Sequence, residues 1–330
     1  MKAVLAMAPH LPPLLFGADD RAGLRAGIDF DTVLTEFVSA RAKAALADAD
    51  ILITGWECPP IDEAALTAAP KLRAVVHTAG TVKGHVGPAV FARGIAVSSA
   101  AWANALPVAE YTVAMVLLAG KNAVAIARRY RETRDRIDLV REYPEIGNYG
   151  RTVGIIGASL VGRAVLRLLA PFDLELLVHD PYLSTTDADE LGAELVELDA
   201  LCRRSRVLSI HAPALPETRH VVDAARLALL PDGATLINTA RGSLVDQDAL
   251  ENELCTGRIS AVLDVTEPEV LPGGSALWDL PNLVLTPHLA GSAGTELRRL
   301  GASALAEVSR IVAGQPLRHE VRAAALATLA

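Results

Sequence analysis

The sequence is poor in cysteine, in aromatic residues and in basic charge. Its three cysteines, Cys58, Cys202 and Cys255, are scattered without metal-binding spacing and cannot all pair, which favours reduced thiols, a cytoplasmic protein and no resident metal. The net charge of −8 gives no general attraction to nucleic acid or to an anionic membrane, so we expect neither as a partner. No apolar run in the sequence approaches membrane-spanning length. Prolines interrupt the apolar start, which we interpret as a strand entering a loop rather than a signal peptide.

What the sequence does contain is a repeated alternation of short apolar runs with helical segments. A length of 330 residues with 51% hydrophobic content suits two α/β domains. In the first hundred residues the pattern predicts helices over Phe37–Ala47 and Ala64–Ala69 and strands over Val4–Met7, Ile51–Thr54, Ala74–Val76 and Ile95–Ser98. This first layer has no glycine-rich phosphate turn.

The stretch from Thr152 to Asp180 carries the strongest local signal. A buried strand leads into a turn that contains Gly157 and Gly162, an amphipathic helix follows, and a second strand ends at Asp180. This order is typical of a dinucleotide-binding unit, in which the helix N-terminus faces a pyrophosphate. Ser159 stands where the middle glycine is usual, and its hydroxyl is able to donate to a phosphate oxygen. Asp180 favours NAD over NADP, because a carboxylate repels a 2′-phosphate. The alternative is a plain βαβ packing unit.

Four further predicted strands each end in polar residues. They are Val207–Ile210, Thr235–Asn238, Ala261–Leu263 and Leu283–Leu285, and they lead into His211, Arg241, Asp264 and His288, with Glu269 in the loop after one of them. The carboxyl ends of parallel strands lie at one edge of a sheet, beside the glycine turn. We therefore expect these residues to converge on the nucleotide site. Taken singly, each has an alternative reading as a buried or solvent-facing residue.

Between the two layers, Leu106–Arg136 is predicted to be one long helix or two in line, apolar nearly all round at its start. Such a start needs to be covered, which favours burial between domains or subunits. The continuation is rich in arginine, and a solvated face with i,i+4 ion pairs is preferred over an anion site.

These motifs resemble the D-isomer-specific 2-hydroxyacid dehydrogenases. The matching segments cover most of the chain and are Val153–Gly157 with Gly162, Asp180–Tyr182, His211–Pro213 with Pro216–Thr218, Ile237–Asp246, Leu263–Val265 with Glu267–Glu269, and Thr286–Gly291; upstream, Arg93–Ile95, Ala103–Ala105 and Val108–Glu110 match as well. The resemblance implies two Rossmann-like or flavodoxin-like domains, doubly wound parallel sheets with a cleft between them. Residues 1–101 with 290–330 would form a discontinuous substrate domain, and residues 102–289 the NAD-binding Rossmann domain.

The resemblance also implies the roles of the site residues. Arg241 would bind the substrate carboxylate, His288 would be the acid–base residue, and Glu269 would be its partner. Ala79 and Gly80 would offer backbone N–H groups to the same carboxylate, while Asp264 would hold the nicotinamide side. The residues we assign to the cofactor are Gly157, Ser159, Leu160, Val161, Gly162, Asp180, His211, Ala212, Pro213, Thr218, Thr239, Ala240, Asp264 and Gly291.

The function expected on this basis is NAD-dependent oxidation and reduction of a small D-2-hydroxy or 2-oxo acid of the glyoxylate, hydroxypyruvate or 3-phosphoglycerate type, by a homodimer. The alternative is an NAD(H)-sensing regulatory protein on the same fold. Formate oxidation is disfavoured, because Glu269 stands where such relatives carry glutamine. Lys83 or His85 is a candidate contact for a phosphate or second carboxylate on the substrate.

Overall fold

The computed structural model describes residues 1–17, 20 and 27–326 and divides into two compact units. Unit 1 comprises Met1–Ala105 and Ser292–Ala330, and unit 2 comprises Leu106–Gly291. The sequence analysis set the boundaries at 101/102 and 289/290. The assignment of substrate to one unit and cofactor to the other stays a prediction.

Unit 1 contains a five-stranded sheet in which every neighbouring pair is parallel, in the order β2-β1-β3-β4-β5. This is the flavodoxin-like strand order. The strands are β1 (Ala3–Ala6), β2 (Ile28–Leu34), β3 (Ile51–Thr54), β4 (Ala74–His77) and β5 (Ala96–Ser99). The sequence analysis missed β2, an edge strand in which acidic residues alternate with apolar ones; the other four lie within a residue or so of their predicted positions.

Unit 2 contains a seven-stranded parallel sheet in the order β12-β11-β10-β9-β6-β7-β8. From β6 the chain adds β7 and β8 on one side of the sheet and then β9 to β12 on the other, as in the doubly wound Rossmann arrangement. Its strands are β6 (Arg151–Ile156), β7 (Leu174–His179), β8 (Glu194–Leu195), β9 (Val207–Ile210), β10 (Thr235–Asn238), β11 (Ser260–Leu263) and β12 (Leu283–Leu285). Two parallel sheets with helical crossovers confirm the predicted α/β class.

The helices are numbered in chain order across both units. They are α1 (Pro12–Leu15), α2 (Ala40–Ala47), α3 (Glu63–Ala68), α4 (Pro88–Ala92), α5 (Ala101–Gly120), α6 (Ala123–Thr133), α7 (Leu139–Glu142), α8 (Leu160–Leu169), α9 (Thr185–Glu190), α10 (Leu198–Arg204), α11 (Ala224–Leu229), α12 (Gln247–Cys255) and α13 (Leu297–Val312). Short 3₁₀ turns lie at Pro216–Thr218, Gly242–Leu244, Ala276–Trp278, Gly294–Glu296 and Ala323–Ala325.

Helix α13 completes the core of unit 1 from the far end of the chain. Leu300 and Val308 are fully buried in one cluster with Leu5 and Leu15 of the N-terminal segment. A Cβ atom on Gly301 would lie 2.0 Å from the carbonyl oxygen of Leu15, so α1 and α13 approach as closely as glycine alone permits.

The predicted long helix is two helices, α5 and α6, and the break falls where Asn122 adopts a left-handed backbone conformation with φ of 48°. Helix α5 begins at Ala101, earlier than predicted, and therefore reaches a length and a mean hydropathy (1.3) sufficient to cross a bilayer, which the sequence analysis did not find. Because 44% of that segment is buried inside the protein and Ala109 and Val116 pack with β6, we assign α5 from Leu106 onward to the core of unit 2.

Candidate active site

The polar residues predicted for the site follow strands that are neighbours in the unit 2 sheet. Strands β6, β9, β10, β11 and β12 lie side by side in reverse order and all run in the same direction. Their carboxyl ends therefore form one row, which we call the carboxyl edge. In open α/β sheets this edge, at the point where the strand order reverses, is where ligands bind.

The glycine turn after β6 packs tightly against the end of β9. Gly157 has φ of +94°, and a Cβ there would lie 2.6 Å from the backbone nitrogen of Ala212. A Cβ on Gly162 would lie 2.0 Å from the carbonyl oxygen of Gly157. Only glycine fits at either position, so the turn brings α8 close to the sheet as a dinucleotide cradle requires.

Helix α8 begins directly after this turn. The Ser159 side chain accepts a hydrogen bond from the backbone N–H of Gly162 at 3.4 Å and caps the helix. Its hydroxyl hydrogen is left for a second acceptor. The exposed Leu160 and half-buried Val161 form the first turn, whose free N–H groups and dipole favour an anion.

Asp180 directly follows β7 and lies next to the glycine turn. Its Oδ2 accepts from the N–H of Ala158 at 2.7 Å and its Oδ1 from that of Tyr182 at 2.8 Å. Each carboxylate oxygen retains a lone pair for a ribose hydroxyl. The glycine cradle, the free helix N-terminus and this carboxylate together fit an NAD, with the negative charge set against a 2′-phosphate.

The loop after β9 is ordered from within. His211 is buried, its Nε2 lies 3.0 Å from Oγ of Ser209, and burial lowers the pKa of His211 to about 3, so the ring is neutral. Thr218 donates to the carbonyl of Pro213 at 2.6 Å and accepts from the N–H of Leu215 at 2.9 Å. These bonds fix the backbone of Ala212 and Pro213 beside the glycine turn.

Arg241 follows β10 and is largely withdrawn from water. Burial lowers the pKa of its guanidinium, and the charge of Glu269 acts in the opposite direction. The Asn238 side chain accepts from the N–H of Ala240 at 3.0 Å and donates to the carbonyl of Arg241 at 2.9 Å. A Cβ on Gly242 would lie 2.2 Å from the carbonyl carbon of Thr266, so glycine there lets the loop leading to Glu269 pass beside the arginine.

The histidine and its acidic partner meet as predicted by position. Nδ1 of His288 lies 2.6 Å from Oε1 of Glu269, and both side chains remain open to solvent, at 47% and 61% exposure. A carboxylate only accepts, so Nδ1 carries the hydrogen and Nε2 is left for another group. Arg241, Glu269 and His288 are here called the trio: Glu269 contacts His288 and lies within electrostatic reach of Arg241.

Asp264 holds the backbone that carries His288. Its carboxylate is 1% exposed and accepts from Thr286 Oγ1 at 2.6 Å and from the N–H groups of Leu289 at 2.8 Å and Ala290 at 2.9 Å. The His288 N–H donates to the Asp264 carbonyl at 2.9 Å. These bonds fix His288 in a left-handed conformation with φ of 55°, which costs a non-glycine residue roughly 1–2 kcal/mol. The predicted contact of Asp264 with the nicotinamide stays a prediction.

In unit 1, the loop after β4 carries Ala79, which is buried, and Gly80, which is half-buried. Beneath it, Oγ1 of Thr54 lies 2.9 Å from Nδ1 of His77 and 3.1 Å from Nε2 of His85. Burial lowers the pKa of His77 to about 3 and that of His85 to about 4. The suggested contact of Lys83 or His85 with a substrate phosphate stays a prediction, and the burial of a neutral His85 ring does not support it for His85.

Three further residues were not found from the sequence, two beside the carboxyl edge of unit 2 and one in unit 1. Tyr111 and Thr112 of α5 bond to Thr286 and Thr239, respectively, and Thr54 joins the two histidines of unit 1. No spacing signals such contacts, because the partners lie far apart in the chain. Gly291, assigned to the cofactor, is the last residue of unit 2 and is half-buried. The described part of the chain has no group of three His, Cys, Asp or Glu residues able to hold a metal.

The family model of the D-isomer specific 2-hydroxyacid dehydrogenase NAD binding domain matches residues 113–290. NAD is therefore the cofactor, in agreement with the glycine cradle and Asp180.

Curated relatives extend the similarity over most of the chain. D-3-phosphoglycerate dehydrogenase from Mycobacterium bovis is 35% identical over 277 residues, 82% of this chain and 51% of the relative. Glyoxylate reductase from Korarchaeum cryptofilum is 35% identical over 253 residues, 75% of each chain. The chain thus spans about half the length of the phosphoglycerate dehydrogenases it matches. The crystal structure of a phosphoglycerate oxidoreductase from Rhizobium etli shares the fold with a TM-score of 0.81, at 24% identity over 98% of each chain.

Proposed function

We propose that this chain, which belongs to the D-isomer specific 2-hydroxyacid dehydrogenase family, is an NAD-dependent oxidoreductase acting on the CH–OH group of a small D-2-hydroxy acid, or on the carbonyl of the corresponding 2-oxo acid. The observation that carries the proposal is the 2.6 Å contact of His288 with Glu269 at the carboxyl edge, within electrostatic reach of Arg241. Bound NAD supplies or takes up the hydride; the protein supplies position, charge and the proton.

Arg241 supports recognition of the substrate carboxylate. A guanidinium offers two parallel N–H groups that match the two oxygens of a carboxylate, and its largely buried position strengthens that attraction. One of its N–H groups already donates to the Ala240 carbonyl at 2.6 Å, which limits its rotation. We assign Arg241 to the carboxylate and keep Ala79 and Gly80 as the backbone donors that the resemblance implies for unit 1.

His288 supports the proton transfer. When the 2-oxo group is reduced, its oxygen gains a proton, and a histidine is the side chain best suited to donate it and to take it back in reverse. Glu269 holds Nδ1 and so directs Nε2 to the substrate oxygen.

The substrate is of the glyoxylate, hydroxypyruvate or 3-phosphoglycerate type. The test is purified protein with NADH and a panel of these 2-oxo acids, including 3-phosphohydroxypyruvate, followed at the nicotinamide absorbance. We expect turnover of at least one acid. NADH binding without turnover of any acid would contradict the proposal and would favour the alternative of an NAD(H)-sensing regulatory protein.

A homodimer is part of the proposal, and its support is an apolar surface on unit 2. Helix α6 buries none of its residues within the protomer. Apolar side chains are exposed along it and after it, at Val124, Tyr130, Leu139, Val140 and Tyr149, with Val140 at 85% and Tyr149 at 90% exposure. These exposed apolar side chains support an interface, which a second copy of the chain would cover. The three scattered thiols favour the cytoplasm as its compartment.

Sedimentation velocity tests the homodimer. We expect a dimer at micromolar concentration for the natural chain and a monomer for Val140→Asp. The control is Val38→Asp, which changes a residue of similar exposure (73%) in unit 1 and should leave the dimer intact. A natural chain that sediments as a monomer would contradict this part of the proposal.

A further inference from the structure

Two neighbouring residues of α5 reach two different loops of the carboxyl edge. The Tyr111 hydroxyl lies 3.0 Å from Oγ1 of Thr286, and the Thr112 hydroxyl lies 3.2 Å from Oγ1 of Thr239. Thr286 stands two residues before the histidine of the trio, and Thr239 stands two residues before its arginine. One helix turn therefore touches both loops that carry these side chains.

The direction of the first contact follows from counting hydrogens. The Thr286 hydroxyl has one hydrogen, and its 2.6 Å approach to the Asp264 carboxylate uses it. Tyr111 must therefore be the donor to Thr286. Desolvation, and to a smaller extent the charge of Asp264, raises the pKa of the Tyr111 phenol, so this hydrogen is retained at neutral pH.

The second contact is resolved in the same way. The Thr112 hydroxyl donates to the carbonyl of Val108 at 2.8 Å, one turn earlier in α5. Its only hydrogen is then used, so Thr239 is the donor across the 3.2 Å contact. Thr112 is fully buried and Thr239 nearly so, which shields this bond from competition by water.

The two loops carry different chemistry in the proposed reaction. The first loop is held by the bonds of Asp264 to the N–H groups of Leu289 and Ala290, the two residues that follow His288. Tyr111 donates a hydrogen bond to Thr286, which in turn donates to Asp264. The second loop runs from Thr239 through Ala240 to Arg241, and the N–H of Ala240 donates to the side chain of Asn238. A shift of either loop would move one of these side chains and leave the other in place.

We propose that Tyr111 and Thr112 are positioning residues, the first setting the orientation of His288 through Thr286 and Asp264, and the second setting that of Arg241 through Thr239. The inference rests on the proposed function for its kinetic consequences. Tyr111 acts on proton transfer and therefore on kcat. Thr112 acts on carboxylate binding and therefore on KM for the acid.

The first experiment removes one hydroxyl at a time. Tyr111→Phe is expected to lower kcat about five- to tenfold, the value of one hydrogen bond, with KM for the 2-oxo acid within about twofold. Thr112→Val is expected to raise KM for the acid by a similar factor and to change kcat little. Thr286→Ser, which keeps a hydroxyl, should retain most of the kcat that Thr286→Val loses.

Matched controls separate positioning from general loss of stability. Tyr143→Phe removes the hydroxyl of another half-buried tyrosine and keeps its ring beside Arg129. Thr133→Val removes the same type of bond to the carbonyl four residues earlier that Thr112 makes. Both controls should leave kcat and KM unchanged. Equal losses in kcat and KM for Tyr111→Phe and Thr112→Val, or losses as large in the controls, would overturn the inference.

A spectroscopic measurement tests the role of Tyr111 independently of enzymatic turnover. In the natural chain and in Tyr111→Phe, we would record the ¹⁵N resonances of the His288 ring and the hydrogen exchange of the Leu289 and Ala290 amides. We expect shifted ring resonances and about tenfold faster exchange in the variant, whether or not an acid is turned over. Unchanged ring resonances and exchange would overturn the role of Tyr111 even if the protein proves to be an active dehydrogenase.

Discussion

His288 donates from Nδ1 to Oε1 of Glu269 across 2.6 Å, although the two residues lie on separate loops that follow β12 and β11. Both side chains stay open to solvent while the backbone of His288 is fixed by Asp264. His288 thus has a backbone fixed by hydrogen bonds and a side chain open to solvent, as a residue that exchanges protons with a ligand requires.

His288→Ala should lower turnover of the 2-oxo acid on the order of 10²–10⁴-fold, the usual effect of losing a general acid. Steady-state kinetics with NADH would measure it, with His10→Ala in unit 1 as an exposed-histidine control. Turnover within twofold of the natural chain would remove His288 from the proposed mechanism.

Arg241→Lys keeps the charge and loses the planar fork. We expect kcat/KM for the acid to fall about 10–100-fold, because a hydrogen bond to a charged group is lost and the remaining one is less directed. Arg204→Lys is the matched control: Arg204 makes a two-bond contact with Glu194 at the far side of the same sheet, at 2.7 and 2.6 Å. An equal loss in both variants would speak against a specific carboxylate site.

Gly157→Ala tests the NAD cradle. The new Cβ would lie 2.6 Å from the Ala212 nitrogen, so the turn and the end of β9 must separate, and we expect NADH affinity to fall more than about tenfold. Gly192→Ala carries the same penalty of a positive φ, at +70°, but its Cβ meets no atom within 4 Å. Titration of NADH fluorescence should therefore separate the two variants, and equal affinities would refute a specific role for Gly157.

The buried histidines should make the protein sensitive to acid. The pKa values of His77, His85 and His211 are lowered in the folded state to about 3, 4 and 3, mainly by desolvation. In the unfolded chain these histidines have their usual pKa of about 6.5 and bind protons below that pH, whereas in the folded protein they stay neutral. Their contribution to stability is therefore complete above about pH 6.5 and is lost as the pH falls towards 4. At pH 5 each ring should cost about 2 kcal/mol of unfolding free energy.

Urea unfolding of the natural chain and of His85→Gln at pH 7.5 and 5.0 would check this. The variant should lose less stability between the two pH values, by the contribution of one histidine. His10→Gln, which changes an exposed ring, should behave like the natural chain. Identical pH dependence in all three proteins would contradict the prediction.

Local patterns were enough to predict most strands of both sheets and the proximity of His288 to Glu269. Strands β9, β10 and β12 lie at the predicted residues, because short β-branched runs bounded by turn residues are typical of buried parallel strands. The meeting of His288 with Glu269 followed from topology, since both follow neighbouring strands. The short helices α4, α9, α10 and α11 were missed, since five to seven residues carry too little periodicity.

Contacts across long stretches of chain lay outside what the sequence indicates. Tyr111 and Thr286 are 175 residues apart, and no pattern in either segment specifies the other. Nothing in the sequence around His77 or His85 indicates their partner Thr54, which lies on the adjacent strand β3, where its hydroxyl points inward among apolar residues. Such pairs are set by tertiary packing, which overrides local preference.

The split composition of unit 1 has a consequence during synthesis. Helix α13 covers Leu5 and Leu15, yet the ribosome makes it only after all of unit 2 has been completed. The nascent N-terminal sheet must therefore wait, with one face uncovered, through nearly two hundred further residues. Unit 2 is formed by one continuous segment and can therefore fold in that interval. Until α13 has been made, the nascent chain thus consists of a folded unit 2 attached to an incomplete unit 1.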